Sequence, residues 1–134
     1  MRAATEDWLA SAQDDLETVG ELIDNDQLTH IVAFHVQQCV EKCFKALLEE
    51  REERVPNIHN LVTLLAKVDE SLSESVDEDL LERLNQLYIK ARYPGERGLL
   101  PEGKPSPDEA HRFHQFARSI HSQVRRALQN GDEE

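Results

Sequence analysis

The chain has 134 residues, of which 31% are charged and only 5% are aromatic, and it carries a formal net charge of −12 at pH 7. This length suits one domain, so we expect residues 1–134 to form a single unit with a frayed tail at 131–134. The charge argues against a protein that coats nucleic acid through a broad basic surface, so any phosphate binding must be local. No run of 18 apolar residues occurs, and we expect no membrane span.

The first two amphipathic stretches predict two long helices. One runs from about Thr5 to Asp24, with apolar residues recurring every three or four positions. Asp15 projects near the apolar face of this helix, so it lies at the edge of that face or needs a polar partner. The second runs from about Leu28 to Arg51 and is apolar over roughly 200° of its circumference. Such a helix is central to a bundle, or is shared between a core and a dimer interface.

The two cysteines indicate a reducing compartment. Cys39 and Cys43 lie one turn apart on the second helix, where a mutual disulfide is geometrically poor. They are expected to be buried thiols. The acidic amphipathic start of the chain differs from a signal peptide. We therefore expect a soluble, cytoplasmic protein.

Three further helices are predicted from their start and stop signals. A short third helix follows the loop that contains Pro56. Ser75 with Glu78 three residues later forms a capping-box pattern for the fourth helix, which Pro94 terminates. The segment Ser106–Glu109 combines a capping serine, a proline and a glutamate at the start of the fifth helix, which runs to about residue 130. The sequence predicts an all-α, up-and-down helical bundle of about five helices.

A polar stripe on the second helix is the first candidate site. Gln38, Lys42 and Lys45 fall within about 60° of one another, which positions them to hold a phosphate or a partner carboxylate. The simpler alternative is that Glu41 and Lys45, spaced i,i+4, form an ion pair on a solvated face. The pattern leaves both interpretations open.

Several motifs together resemble the HEPN family. Residues 38–48 look like the family's Gln-x-x-Glu-Lys-x-x-Lys-Ala-Leu-Leu helix. Asp15 and Leu16 in the first helix, His59 to Leu61 and the run Ala91-Arg92-Tyr93-Pro94 are similar to other family elements, in matching order and separation. The resemblance covers nearly the whole chain and implies a HEPN-like bundle. It also implies a homodimer and a minimal nucleotidyltransferase protein as partner, in a toxin–antitoxin-like pair.

The resemblance also bears on catalysis. Some HEPN proteins are metal-independent ribonuclease toxins with a histidine four to six residues after an arginine at this position. No histidine follows Arg92 within that window. Our leading hypothesis is therefore a binding module for nucleotide or RNA phosphate, without a catalytic residue or cofactor. The alternatives are a ribonuclease that uses Arg92 with His59, and a purely structural dimerisation module.

The expected binding cleft combines the helical stripe with residues that the resemblance brings nearby. Arg92 supplies a fork for phosphate, and Tyr93 supplies a stacking surface for a base. His59 adds a donor when protonated, so binding should be better at pH 6 than at pH 8. The complete predicted set is Gln38, Lys42, Lys45, His59, Arg92 and Tyr93.

The fifth helix carries a second cluster of basic residues. His111, His114, Arg118, His121 and Arg125 fall within roughly 80° of arc beside the apolar face. No carboxylate completes a compact metal-ligand set there, so we expect no metal site. A cationic seam toward another helix, a subunit or an anion remains open, as does ordinary helix surface. The sequence contains neither a glycine-rich phosphate loop nor a Cys-x-x-Cys or His-Glu-x-x-His motif.

Overall fold

The computed structural model describes the backbone of residues 1–92 and 104–133, and the side chains of residues 1–88 and 104–130. These residues form five α-helices and no strand, so the predicted all-α bundle is confirmed. In chain order the helices are α1 (Ala3–Leu22), α2 (Thr29–Glu50), α3 (Leu61–Val68), α4 (Glu78–Arg92) and α5 (Pro107–Glu133), with a 3-10 turn at Asp69–Ser71.

The start of α5 is as predicted, whereas the start of α4 is not. The Ser106 hydroxyl accepts a hydrogen bond from the backbone N–H of Glu109 at 3.0 Å. At α4 the Asp77 carboxylate accepts from the backbone N–H of Leu80 at 3.1 Å. The prediction that Ser75 caps α4 is wrong, because Asp77 caps the helix two residues later. The helix α5 also continues through residue 131 to Glu133, beyond its predicted end.

The helix α2 lies at the centre of the bundle and packs against α1, α3, α4 and α5. Its whole predicted apolar set is buried within the single chain. Burial of a side chain of the size of Phe44 stabilises the folded state by about 1.5–3 kcal/mol. The wide apolar surface of α2 therefore reflects its central position. The set comprises Val32, Val36, Cys39, Val40, Cys43, Phe44, Ala46, Leu47 and Leu48.

Both cysteines are free thiols inside this core. The hydrogen bond with Cys39, together with burial, raises the pKa of the Cys43 thiol well above its ordinary value. The pair therefore packs as uncharged, unreactive side chains.

Among the described residues, no helix is both long enough and apolar enough to cross a bilayer.

Candidate functional site

One carboxylate from α1 anchors two basic side chains of the α2 polar stripe. Asp15 is buried, and its Oδ2 accepts a hydrogen bond from Lys42 Nζ at 2.7 Å. Its Oδ1 lies 2.9 Å from His35 Nδ1. Because a carboxylate can only accept, Nδ1 is the nitrogen of His35 that carries the proton. Of the two alternatives for Asp15, the structure shows the buried group with polar partners.

A second carboxylate, Glu41, connects α2 to the segment before α3. Glu41 is 4% exposed, and it accepts from Lys45 Nζ at 3.1 Å and from Gln37 Nε2 at 3.1 Å. His59 Nδ1 lies 3.1 and 3.2 Å from its two oxygens. Gln37 Nε2 also donates to the backbone carbonyl of His59 at 3.0 Å. Its side-chain oxygen accepts from Gln38 Nε2 at 2.7 Å. These contacts orient the His59 ring and satisfy a buried charge.

The two lysines of the predicted site differ in burial. Lys45 is 4% exposed, and its ammonium lies between Glu41 and the ring of Trp8, 5.7 Å from the ring centroid. Lys42 is half-buried. The predicted i,i+4 pair of Glu41 and Lys45 exists, but it lies inside the bundle and not on a solvated face. The structure thus brings Gln38, Lys42, Lys45 and His59 together on one side of α2, with each lysine paired to a carboxylate.

Aromatic rings, of which Phe34 is exposed, border these polar groups. Phe34 is 40% exposed, stacks on Tyr88 with ring centroids 5.9 Å apart, and meets His35 edge-on at 5.3 Å. The His59 ring lies 6.0 Å from that of Tyr88. At about 100° per residue, Phe34 falls on the polar stripe of α2 between Glu41 and Lys45. An aromatic side chain on a polar stripe was the signal that the sequence analysis missed.

The remaining residues of the predicted cleft lie at the edge of the described chain. Arg92 is the last residue of α4, four positions after Tyr88. The side chain of Arg92 and the whole of Tyr93 lie outside the described residues. Their roles stay predictions.

The basic residues of α5 are spread from the surface to the interior. His111, Arg118 and Arg125 are exposed, His114 is half-buried, and His121 is buried. Burial and then Arg118 and His111 lower the pKa of His114. Burial and then Arg125 lower the pKa of His121. His121 and Arg125 line a cavity between α1 and α5.

Within the parts of the chain that the structure describes, no group of three or more histidine, cysteine, aspartate or glutamate side chains could hold a metal ion. Two carboxylate–imidazole pairs are present, Asp15 with His35 and Glu41 with His59. In both pairs a lysine ammonium holds the carboxylate.

Comparison with known proteins identifies the family. Residues 5–127 match the profile of the HEPN domain. The crystal structure of TT1696 from Thermus thermophilus is similar, with a TM-score of 0.73 and 27% sequence identity over 94% of this chain and 99% of that chain. Curated proteins gave no match. Because the matched range takes in nearly all of the five helices, this chain belongs to the HEPN family.

Proposed function

We propose that this chain is a HEPN binding module that engages a nucleotide or a short RNA at one face of α2. The face, named here the α2 surface, consists of Phe34, His35, Gln38, Lys42, His59 and Tyr88. The observation that carries the proposal is the stacking of the exposed Phe34 ring on the half-buried Tyr88 ring, bordered by His35 and His59. Each of these histidines is held by a carboxylate from inside the bundle.

The aromatic pair suits a base. An exposed ring that is already stacked on a second ring presents a fixed π-face, and base stacking on aromatic side chains contributes about 1–3 kcal/mol per base. Phe34 is one of three large hydrophobic side chains that are exposed among the described residues. Stacking does not depend on base identity, so we expect binding with little sequence preference.

The charges suit a phosphate at low pH. The carboxylates of Asp15 and Glu41 neutralise the ammonium groups of Lys42 and Lys45. The net charge of the cluster therefore depends on whether its histidines are protonated. With Nδ1 protonated against a carboxylate, a neutral imidazole offers Nε2 only as an acceptor. Protonation converts Nε2 to a charged donor, which a phosphate oxygen accepts. Anion binding should therefore be stronger at pH 6 than at pH 8.

The proposal includes two protein partners. The net charge of −12 favours a partner with a basic face, and the HEPN resemblance suggests a minimal nucleotidyltransferase protein.

The resemblance also favours a homodimer. Since the apolar side of α2 is covered within one chain, support for the dimer comes instead from the exposed side chain of Val62, which lies outside the α2 surface. Light scattering should report about twice 15.4 kDa, and a monomer at micromolar concentration would contradict the dimer.

One observation favours a second candidate function, a metal-independent ribonuclease. The Glu41–His59 pair fixes one ring nitrogen and leaves the other free to exchange a proton, an arrangement used in acid–base catalysis. Arg92 would supply the charge for the transition state. The absence of a histidine four to six residues after Arg92 places this candidate second.

The test of the binding proposal measures the affinity of a fluorescently labelled single-stranded RNA at pH 6 and pH 8. Phe34→Ala and Lys42→Ala should each weaken binding by about 1–3 kcal/mol, roughly 5- to 150-fold. Arg118→Ala on α5 removes an exposed arginine of the other basic cluster and is the matched control. The proposal fails if Arg118→Ala abolishes binding while both α2-surface variants bind normally. Lys45→Ala is a poorer probe than Lys42→Ala, because Lys45 is only 4% exposed whereas Lys42 is half-buried.

A further inference from the structure

A cavity separate from the α2 surface lies between α1 and α5. Its volume is about 320 Å³, near the lower end of the range for small-molecule sites. Polar side chains reach it from both helices, and it shares no residue with the α2 surface. The lining includes Glu6, Leu9 and Gln13 from α1, and His121, Arg125 and Gln129 from α5.

His121 is the least expected of these side chains. It is 7% exposed, yet it forms no hydrogen bond within the described residues. Its ring nitrogens are not among the fully sealed polar atoms without a partner, so they keep some accessible surface, and the residue lines the cavity. Burial and the nearby Arg125 lower the pKa of His121, which keeps the ring neutral at ordinary pH. A buried ring with free hydrogen-bonding capacity facing a cavity is suited to a ligand.

Arg125 supplies a positive charge at the same place. It is exposed and forms no ion pair within the described part of the chain. Between Ala110 and Asn130, α5 carries four arginines and three histidines but no aspartate or glutamate, in a chain of net charge −12. By contrast, Lys42 and Lys45 are both paired with carboxylates. The α5 wall of the cavity therefore favours an anion.

The α1 wall has the opposite character. Glu6 contributes a carboxylate, which accepts hydrogen bonds but repels a bare anion. The amides of Gln13 and Gln129 donate and accept. A ligand that satisfies both walls carries an anionic group at one end and hydroxyl groups at the other. A guanidinium fork matches phosphate geometry, which favours phosphate as the anionic group.

We propose that this cavity binds a small phosphate monoester with free hydroxyl groups, of the sugar-phosphate class. Its phosphate contacts Arg125 and His121, and its hydroxyl groups contact Glu6 and Gln13. The inference goes beyond the proposed function, because it assigns a second ligand site with different residues and a different ligand class.

The first test uses ribose 5-phosphate with the wild-type protein. Calorimetry should give a dissociation constant in the range of micromolar to about 1 mM. Neutral ribose should not bind, and inorganic phosphate and citrate should bind more weakly. In NMR titrations the pKa of His121 should rise on binding, because the phosphate offsets both Arg125 and burial. Glu6 of α1 and Arg125 of α5 are the charged side chains that share the cavity with His121, and Met1, whose terminal ammonium lies 3.9 Å from a Glu50 oxygen, lines it as well.

Variants then locate the site. Arg125→Gln should weaken ribose 5-phosphate at least about tenfold, and Arg125→Lys less, since lysine keeps the charge but loses the fork. Glu6→Gln should reduce the ratio of the dissociation constant of inorganic phosphate to that of ribose 5-phosphate, because the variant loses a carboxylate that accepts from the hydroxyl groups. Arg126→Gln is the matched control, because this neighbouring arginine is exposed and does not line the cavity. Phe34→Ala should leave binding unchanged, so the failure of either site is visible separately.

Three results would overturn the proposal. The first is that the His121 resonances do not shift when ribose 5-phosphate is added to about 10 mM, roughly ten times the weakest dissociation constant expected. The second is that Arg126→Gln weakens binding as much as Arg125→Gln, which would indicate a diffuse charge effect. The third is that citrate binds more tightly than the phosphate ester, which would assign a carboxylate ligand.

Discussion

The buried pair of Glu41 and Lys45 allows an asymmetric prediction about stability. Glu41→Gln removes the only carboxylate that pairs with Lys45 among the described residues, and leaves a 4% exposed ammonium beside the ring of Trp8. Breaking a buried pair in this way costs about 3–5 kcal/mol. Lys45→Met leaves Glu41 with two other donors, Gln37 and His59. We therefore expect this second substitution to cost only about 1–2 kcal/mol.

Urea unfolding followed by circular dichroism measures these differences as shifts in midpoint at constant slope. A domain of this kind has a stability of about 5–15 kcal/mol, so both variants should remain folded under mild conditions. In the double variant Glu41→Gln/Lys45→Met no unpaired ammonium remains, and the loss should fall short of the sum by about 1–3 kcal/mol. The exposed Lys67, replaced by Met, is the control and should cost about 0.5 kcal/mol or less.

A loss of stability in Glu41→Gln no greater than that in Lys45→Met would refute this asymmetry. The full sum of the two losses in the double variant would refute it as well, because the two side chains would then be energetically independent.

Three further predictions concern the helix cap, acid stability and catalysis. Asp77→Ala should destabilise the fold by about 1 kcal/mol in urea unfolding, whereas Ser75→Ala should change it by less than about 0.5 kcal/mol; equal effects would contradict the assigned cap. Folding lowers the pKa of His121, so its neutral ring contributes fully to the stability of the fold above the ordinary histidine pKa of about 6.5. This contribution falls as the pH drops below that value. His121→Gln should therefore lose less stability than the wild type on acidification, and a steeper loss would count against this. The purified protein should cleave single-stranded RNA slowly or not at all; robust cleavage that disappears in Arg92→Ala would promote the ribonuclease candidate.

Local signals predicted the helices better than their ends. The start of α5 was predictable because its serine, proline and glutamate lie within four residues and act only on neighbouring backbone groups. At α4 the sequence offers two capping side chains, Ser75 and Asp77, two positions apart. In the folded bundle the helix begins after Asp77, which caps it. Local chemistry alone could not decide between the serine and the aspartate.

The candidate site was predictable in part. Periodicity placed Gln38, Lys42 and Lys45 on one stripe, but it could not show that Lys45 is buried. That burial depends on Trp8 from α1 and on His59, which Glu41 holds against α2. Contacts between distant segments of the chain are not encoded in a helical period. The cavity that contains His121 is formed by the packing of α1 against α5 and was likewise beyond sequence analysis.

The binding of a nucleotide or RNA at the α2 surface is tested most directly by amide chemical-shift mapping with a short single-stranded RNA at pH 6. We expect the perturbed amides to cluster around Phe34, Gln38 and His59, and the shifts to shrink at pH 8. Perturbations confined to α5, or none at saturating RNA, would contradict it.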